Sequence, residues 1–262
     1  MIEAVISAAR EVGDAALGQW RHLRDGGRVD QWRKADESLV SEVDIETDRR
    51  LKAILGAIDP EAGWLSEETA DHPERLSRRR IWCVDPIDGT RDFLRGRAGW
   101  AVSIALVENG KPVLGVLYAP ARDECWVAQR GGGALLNGTP LRVGNRLVLS
   151  GARVPATSLP KVDADLTMVE QPNAIALRMA MVASDRADLV ATLRWGFEWD
   201  VAAAALIASE AGARVSDAFG AGLVFNTLRA QAFGVIACVP GIHGQVVERL
   251  RDRAQMQILA PQ

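Results

Sequence analysis

Residues 82–93 read WCVDPIDGTRDF, an apolar strand-like run that ends on Asp85, passes through Pro86 and Ile87 to Asp88, and meets a helix start at Gly89-Thr90. Residues 64–68, WLSEE, do the same on a smaller scale, delivering Glu67 and Glu68 directly after Trp64-Leu65. Carboxylates that follow strands converge at a sheet edge. Glu67, Asp85 and Asp88 gathered there would repel one another unless cations lay among them, and hard oxygen donors of this kind select Mg²⁺. Pro86 is expected to fix a turn between the two aspartates, turning the Ile87 carbonyl toward an ion. The free N–H groups of a helix beginning at Gly89-Thr90 suit a phosphate. Asp200 stands near the start of GFEWDVAAAALIASEAG (196–212), a strongly helical stretch, and offers a fourth carboxylate from the second half of the chain. A site shared between the halves follows.

Outward from this run, Ile2, Val5, Ile6, Ala9, Val12, Ala16, Leu17 and Trp20 keep the 3.6-residue period of an amphipathic helix. GGRVDQWRKADES (26–38) reads as a polar connection, and a second helix is expected from about Val43 to Ile58, stopped by Asp59-Pro60. Antiparallel strands are expected over 101–107, 112–118 and 124–128. Asn109-Gly110 marks a hairpin, because both residues tolerate positive φ; Gly131-Gly132-Gly133 and Asn137-Gly138 mark further turns. Beyond residue 148 strands and helices alternate: helix over 173–183, extended chain over 188–191, helix over 199–211 ended by Gly212, buried strand over 233–239, closing helix over 242–253. Residues 1–147 therefore form an α+β half carrying most of the acidic residues, and 148–262 an α/β half carrying Asp200, the two best regarded as one compact unit.

With 48% hydrophobic and 25% charged residues the chain has an ordinary globular composition. A net charge of -3 excludes a general basic field for nucleic-acid polymers or anionic membranes, so any anion must be held locally. Cys83, Cys125 and Cys238 are odd in number and dispersed, which suggests buried thiols rather than disulfides or a zinc site. Charged residues interrupt the N-terminal apolar stretch and no run suits a membrane span, so a cytoplasmic enzyme is expected.

SEE (66–68), DPIDGT (85–90) and WDVAA (199–203), together with VSEVD (40–44), resemble in order and spacing the inositol monophosphatase family of metal-dependent, lithium-sensitive phosphatases. The resemblance covers nearly the whole chain. DGTRDF (88–93), GKPVLGVLYAP (110–120) and EWDVAA (198–203) are most similar to the branch of bacterial 3′(2′),5′-bisphosphate nucleotidases. It implies a layered αβαβα sandwich with two Mg²⁺ ions between the halves. Glu67, Asp85 and the Ile87 carbonyl would hold the first ion; Asp85, Asp88 and Asp200 the second; Glu67 would reach a third, weaker one. Thr90 with Asp44 would orient and deprotonate the attacking water, with Glu67 assisting. Gly89 and Thr90 N–H groups would hold the phosphate, and Asp88, Arg91 and Asp200 would meet the substrate, a small phosphorylated metabolite. The first expectation is hydrolysis of the 3′-phosphate of 3′-phosphoadenosine 5′-phosphate, with inositol 1-phosphate and histidinol phosphate as enzymatic alternatives. The rival of another class is a catalytically silent binding or regulatory protein. A homodimer accords with the family.

Departures from the family pattern bear on substrate. Thr192-Leu193-Arg194-Trp195 stands where inositol-specific members carry a glutamate, and Ser184-Asp185 where related nucleotidases carry an acidic residue and glycine. Plain structural readings stand beside the chemical ones. Ser41 to Asp44 fits a capping box, Asp200 a favourable helix-start charge, and Thr90 an N-cap. Glu68 is expected on the strand face opposite Glu67. Arg91, Arg95 and Arg97 follow the acidic motif and suit a second phosphate, although arginine is abundant throughout. Trp100 and Trp195 are candidates for stacking on a base, and His22, His72 and His243 read as surface residues.

Overall fold

The structure, a computed structural model, describes residues 1–35 and 37–259. Helix α1 (Ile2–Arg24) buries Val5, Ala9, Val12, Ala16 and Trp20 on the expected stripe. The polar connection after it contains a small hairpin, β1 (Gln31–Arg33) with β2 (Leu39–Ser41), which leads into α2 (Glu42–Ile58). Both helices cover one face of a seven-stranded sheet made of β3 (Gly63–Ser66), β4 (Arg80–Asp88), β5 (Ala101–Glu108), β6 (Lys111–Ala119), β7 (Glu124–Gln129), β8 (Gly133–Leu136) and β9 (Thr139–Pro140). The strands lie side by side in chain order; β3 and β4 are parallel and every later pair antiparallel. Asn109 and Gly110 adopt φ 49° and 74° at the β5–β6 turn, the geometry their types permit.

A parallel pair, β10 (Arg153–Pro155) and β11 (Thr167–Val169), precedes α4 (Ile175–Ala183), which follows the short α3 (Thr90–Leu94) in helix order. The helix expected from residue 173 thus begins at Ile175. A three-stranded antiparallel sheet follows, ordered β12 (Leu189–Phe197), β14 (Gln231–Cys238), β13 (Arg214–Ser216). β12 runs six residues past the extended segment expected at 188–191, accommodated by a bulge between Thr192 and Trp195. α5 (Glu198–Glu210) lies with α4 between the two sheets, and its apolar residues Val201 to Ala208 are buried all round, as a helix covered on both sides requires. α6 (His243–Ile258) closes the far face through Val246, Leu250 and Ala254.

The layers are therefore helix, sheet, helix, sheet, helix. One apolar cluster joins Leu65, Cys83 and Trp126 of the large sheet to Met179 and Ile207 of the middle helices and Val235 and Ala237 of the small sheet. Both halves thus share a core, in which truncating a fully buried side chain such as Ile207 would cost about 2–5 kcal/mol. The three cysteines are buried and free. Among the described residues no helix is long and apolar enough to cross a membrane.

Candidate metal and phosphate site

Glu67 lies just beyond β3, Asp85 within β4, and Asp200 in the first turn of α5, where the middle layer meets the large sheet. Their ligand oxygens all fall within 4.8 Å of one another. Pro86 does not make the expected turn. β4 continues to Asp88, and two residues of β4, Pro86 and Ile87, oppose the single Val102 of β5 between the pairs Asp85–Ser103 and Asp88–Ala101. In a regular strand residues three apart point to opposite faces; the extra residue restores parity, so that Asp85 and Asp88 share one side. Ile87 N–H donates to Asp85 Oδ1 at 3.0 Å and stiffens the bulge.

Burial above all, then Glu67, Asp88 and Asp200, pushes the Asp85 carboxyl well above its usual range, and burial with Asp88 and Glu67 does the same to Asp200. Burial raises Asp88 to about 7, against the pull of the Ala176 amide and the Arg178 charge. Without cations such a group cannot ionise together. The donors are hard oxygens on converging carboxylates, and they fit divalent metal ions.

Asp44, in the first turn of α2, has two jobs. Oδ2 accepts from the Ser41 N–H at 2.9 Å and from the Ser41 hydroxyl, closing the capping box; Oδ1 lies 3.0 Å from Thr90 Oγ1. One carboxylate thus closes the cap and meets the Thr90 hydroxyl, and its burial raises it to about 6. Thr90 is the first residue of α3 rather than its N-cap. The cap is Gly89 at φ 95°, where an added Cβ would stand 2.6 Å from the Gly99 carbonyl oxygen.

Lys34 joins this site, although nothing in its polar surroundings sets it apart in the sequence. Its Nζ lies 2.7 Å from Glu68 Oε1 and 3.3 Å from Glu67 Oε1. Burial opposes its charge, but the two glutamates hold the ammonium above its usual value, while burial raises Glu68 to about 7. Glu67 and Glu68 do not take the opposite faces expected of them, because β3 ends at Ser66 and both carboxylates turn toward the same lysine.

The sequence model of the inositol monophosphatase family matches residues 1–252. The chain belongs to that family. It is 35% identical over 235 residues to the Nus factor SuhB of Xylella fastidiosa, covering 84% of this chain and 82% of that one. It is 32% identical over 229 residues to the 3′(2′),5′-bisphosphate nucleotidase CysQ of Escherichia coli O157:H7, covering 83% and 90%. The solved inositol monophosphatase of Thermotoga maritima superposes with a TM-score of 0.82 at 29% identity over 97% of both chains. The protein is thus an inositol monophosphatase family phosphatase, a phosphoric monoester hydrolase. Enzymes of the family use divalent metal ions, and the acidic cluster stands ready for them.

The other candidate residues of this family member separate into two groups. Arg95 and Arg97 line a cleft of ≈ 440 Å³ with Arg122, Arg178, Asp92 and Glu170, next to Gly99 and Asn173. Arg122 is paired bidentately with Glu170, the Arg97 guanidinium lies 4.0 Å from the Asp92 carboxylate while its backbone N–H donates to the Asp92 carbonyl at 2.8 Å, and the Arg95 side chain has no hydrogen bond or ion pair among the described residues. Arg91 is exposed on α3 and does not line the cleft. Trp100 is fully buried edge-on against Phe93, with ring centroids 5.0 Å apart, so it is core and not a stacking platform. Trp195 packs on Phe233 at 5.5 Å. Thr192 Oγ1 accepts from Val235 N–H within the small sheet, leaving Arg194 exposed beside Asp200 in a narrow pocket. Asp185 is at the far end of α4, in the left-handed region at φ 58° and paired with Arg153. His22 and His72 are exposed; His243 is half-buried, its Nε2 2.9 Å from Ser216 Oγ.

Proposed function

We propose that this chain is a Mg²⁺-dependent phosphomonoesterase whose substrate carries a second anionic group, with 3′-phosphoadenosine 5′-phosphate the best candidate. The observation that carries the substrate reading is the arginine-lined cleft joined to the acidic site through Arg178, whose charge acts on Asp88, with the Arg95 side chain unpaired among the described residues. Guanidinium groups donate two parallel hydrogen bonds to phosphate, and an unpaired one beside a phosphate site favours a doubly anionic ligand. The likeness to a relative named as a bisphosphate nucleotidase supports the same reading.

Glu67, Asp85 and the Ile87 carbonyl would hold one Mg²⁺, and Asp85, Asp88 and Asp200 a second, with Glu67 able to reach a third. Bound there, the ions would neutralise the substrate phosphate and stabilise the leaving oxygen. The chain's own groups supply position and proton transfer. Thr90 Oγ1 donates to Asp44 Oδ1, which frees the threonine oxygen to accept a proton from the attacking water, and Asp44 takes the displaced hydrogen. Gly89 and Thr90 N–H groups orient the phosphate for in-line attack.

The test is kcat/KM for 3′-phosphoadenosine 5′-phosphate, inositol 1-phosphate and histidinol phosphate under one set of conditions, with Mg²⁺ and with chelator. The nucleotide should be preferred and chelator should abolish turnover. Preference for either monophosphate discards the nucleotide reading, and absence of turnover with all three discards these three esters as its substrates.

A further inference from the structure

α4 begins without a side-chain cap of its own, and the first N–H groups of a helix have no partner within it. Here the first half of the chain supplies the acceptors. Four consecutive N–H groups are used in turn: Asn173 to Asp92 Oδ2 at 3.0 Å, Ala174 to the Gly99 carbonyl at 2.9 Å, Ile175 to Asp88 Oδ1 at 3.3 Å and Ala176 to Asp88 Oδ2 at 2.8 Å. Both oxygens of Asp88 are thus oriented by backbone that is itself held, two and three residues earlier, by Asp92. The Asp92 side chain is nearly buried, at 13% exposure. Gly99 leaves room for it: an added Cβ there would lie 2.0 Å from Asp92 Oδ2 and 2.9 Å from Asn173 N.

We infer that Asp92 is a positioning residue for Asp88: by fixing the Asn173 N–H it sets the α4 amides that aim the Asp88 carboxylate, and so tunes the affinity of the site for its metal. The inference rests on the metal reading proposed above. Groups that hold a metal ligand from behind govern its orientation, whereas a bond that only tied a loop to α3 would affect stability and leave the metal untouched.

The experiment uses full-length, metal-stripped protein as parent, Asp92→Ala, Asp92→Asn and Gly99→Ala, with Mg²⁺ titrated against the thermal midpoint and, separately, against turnover. Asp92→Ala should raise the Mg²⁺ concentration at half effect about tenfold, the lower end of what loss of such support costs. Asp92→Asn keeps an oxygen acceptor and should stay within about twofold of the parent. Gly99→Ala displaces the same carboxylate from the other side, should shift the midpoint in the direction of Asp92→Ala, and decides the matter if Asp92→Ala does not fold. Parent-like Mg²⁺ midpoints in a folded Asp92→Ala and in Gly99→Ala, whatever their metal-free stability, overturn the inference alone. A parent with no Mg²⁺ response overturns the metal reading and the inference with it.

Discussion

Thr90 Oγ1 stands 3.0 Å from Asp44 Oδ1 and 3.1 Å from the Ile87 carbonyl oxygen, so its single hydrogen can serve only one acceptor at a time. If an ion draws on the Ile87 carbonyl, the hydroxyl is left to Asp44. On the proposed chemistry Thr90→Val removes the relay and should lower kcat by about 10²–10⁴. Thr90→Ser should keep most of it. Equal activity in the valine variant, measured at saturating Mg²⁺, would remove Thr90 from the mechanism.

The raised carboxyls give the metal-free protein an unusual pH dependence. Asp44 at about 6, and Asp88 and Glu68 at about 7, bind protons more tightly folded than in the unfolded chain, where carboxyls titrate near 4. Stability contributed by such groups is present when they are protonated and falls as pH rises through the window from about 4 to about 7. Chelated protein should therefore melt higher at pH 6 than at pH 8, and Mg²⁺ should flatten the difference. A lower melting temperature at pH 6 in chelator contradicts this account of the cluster.

Asp85→Asn should abolish turnover and stabilise the metal-free protein as pH rises, because an amide escapes the cost of ionising a buried carboxyl among acidic neighbours while its oxygen can still accept from Ile87 N–H. Asp88→Asn should be equally inactive without that gain. Its carboxylate accepts from two amides, and an asparagine leaves one of them facing a donor, at a cost of about 1–3 kcal/mol. Calorimetry of the two chelated variants separates them; the reverse order of stability would mean that charge repulsion does not govern the stability of the protein at Asp85.

Lys34 supplies the positive charge nearest Glu67 and Glu68 in the metal-free protein. Lys34→Met should lower the metal-free melting temperature and enlarge the rise produced by Mg²⁺, since the ion then relieves repulsion that the ammonium no longer shares. An unchanged Mg²⁺ effect would make the lysine a bystander.

Arg95→Ala tests the cleft. Loss of a charge-assisted contact to a second phosphate should cost about 1.5–3 kcal/mol of transition-state binding, roughly ten- to a hundredfold in kcat/KM for a bisphosphate. Monophosphates should change little. Equal losses for both substrate classes would place Arg95 outside substrate recognition.

The acidic framework and the layer pattern were legible in the chain because their signals are local. Apolar runs ending in carboxylates announce strand ends, and the apolar surround of Val201 to Ala208 announces a helix covered on both sides. What stayed hidden depends on partners distant in sequence. The parity change between Asp85 and Asp88 depends on the register with β5, and Pro86 alone suggests a turn. Lys34 sits in a polar segment without periodicity, and only the fold carries it to Glu68. Trp100 follows the acidic motif as a ligand-stacking residue would, yet its neighbour Phe93 encloses it. The amides of 173–176 carry no side-chain signature at all.

α5 lies where two sheets press on one helix, with the small residues Ala202 to Ala205 buried there and Gly115 of β6 against its backbone: a Cβ on Gly115 would stand 2.8 Å from the Ala203 carbonyl oxygen. The same helix carries Asp200 at its first turn. The small side chains therefore act as a spacer gauge, setting how far Asp200 stands from Glu67 and Asp85. A larger residue in this run, remote from every oxygen that would face an ion, would widen the gap between the layers and detune the site from inside the core.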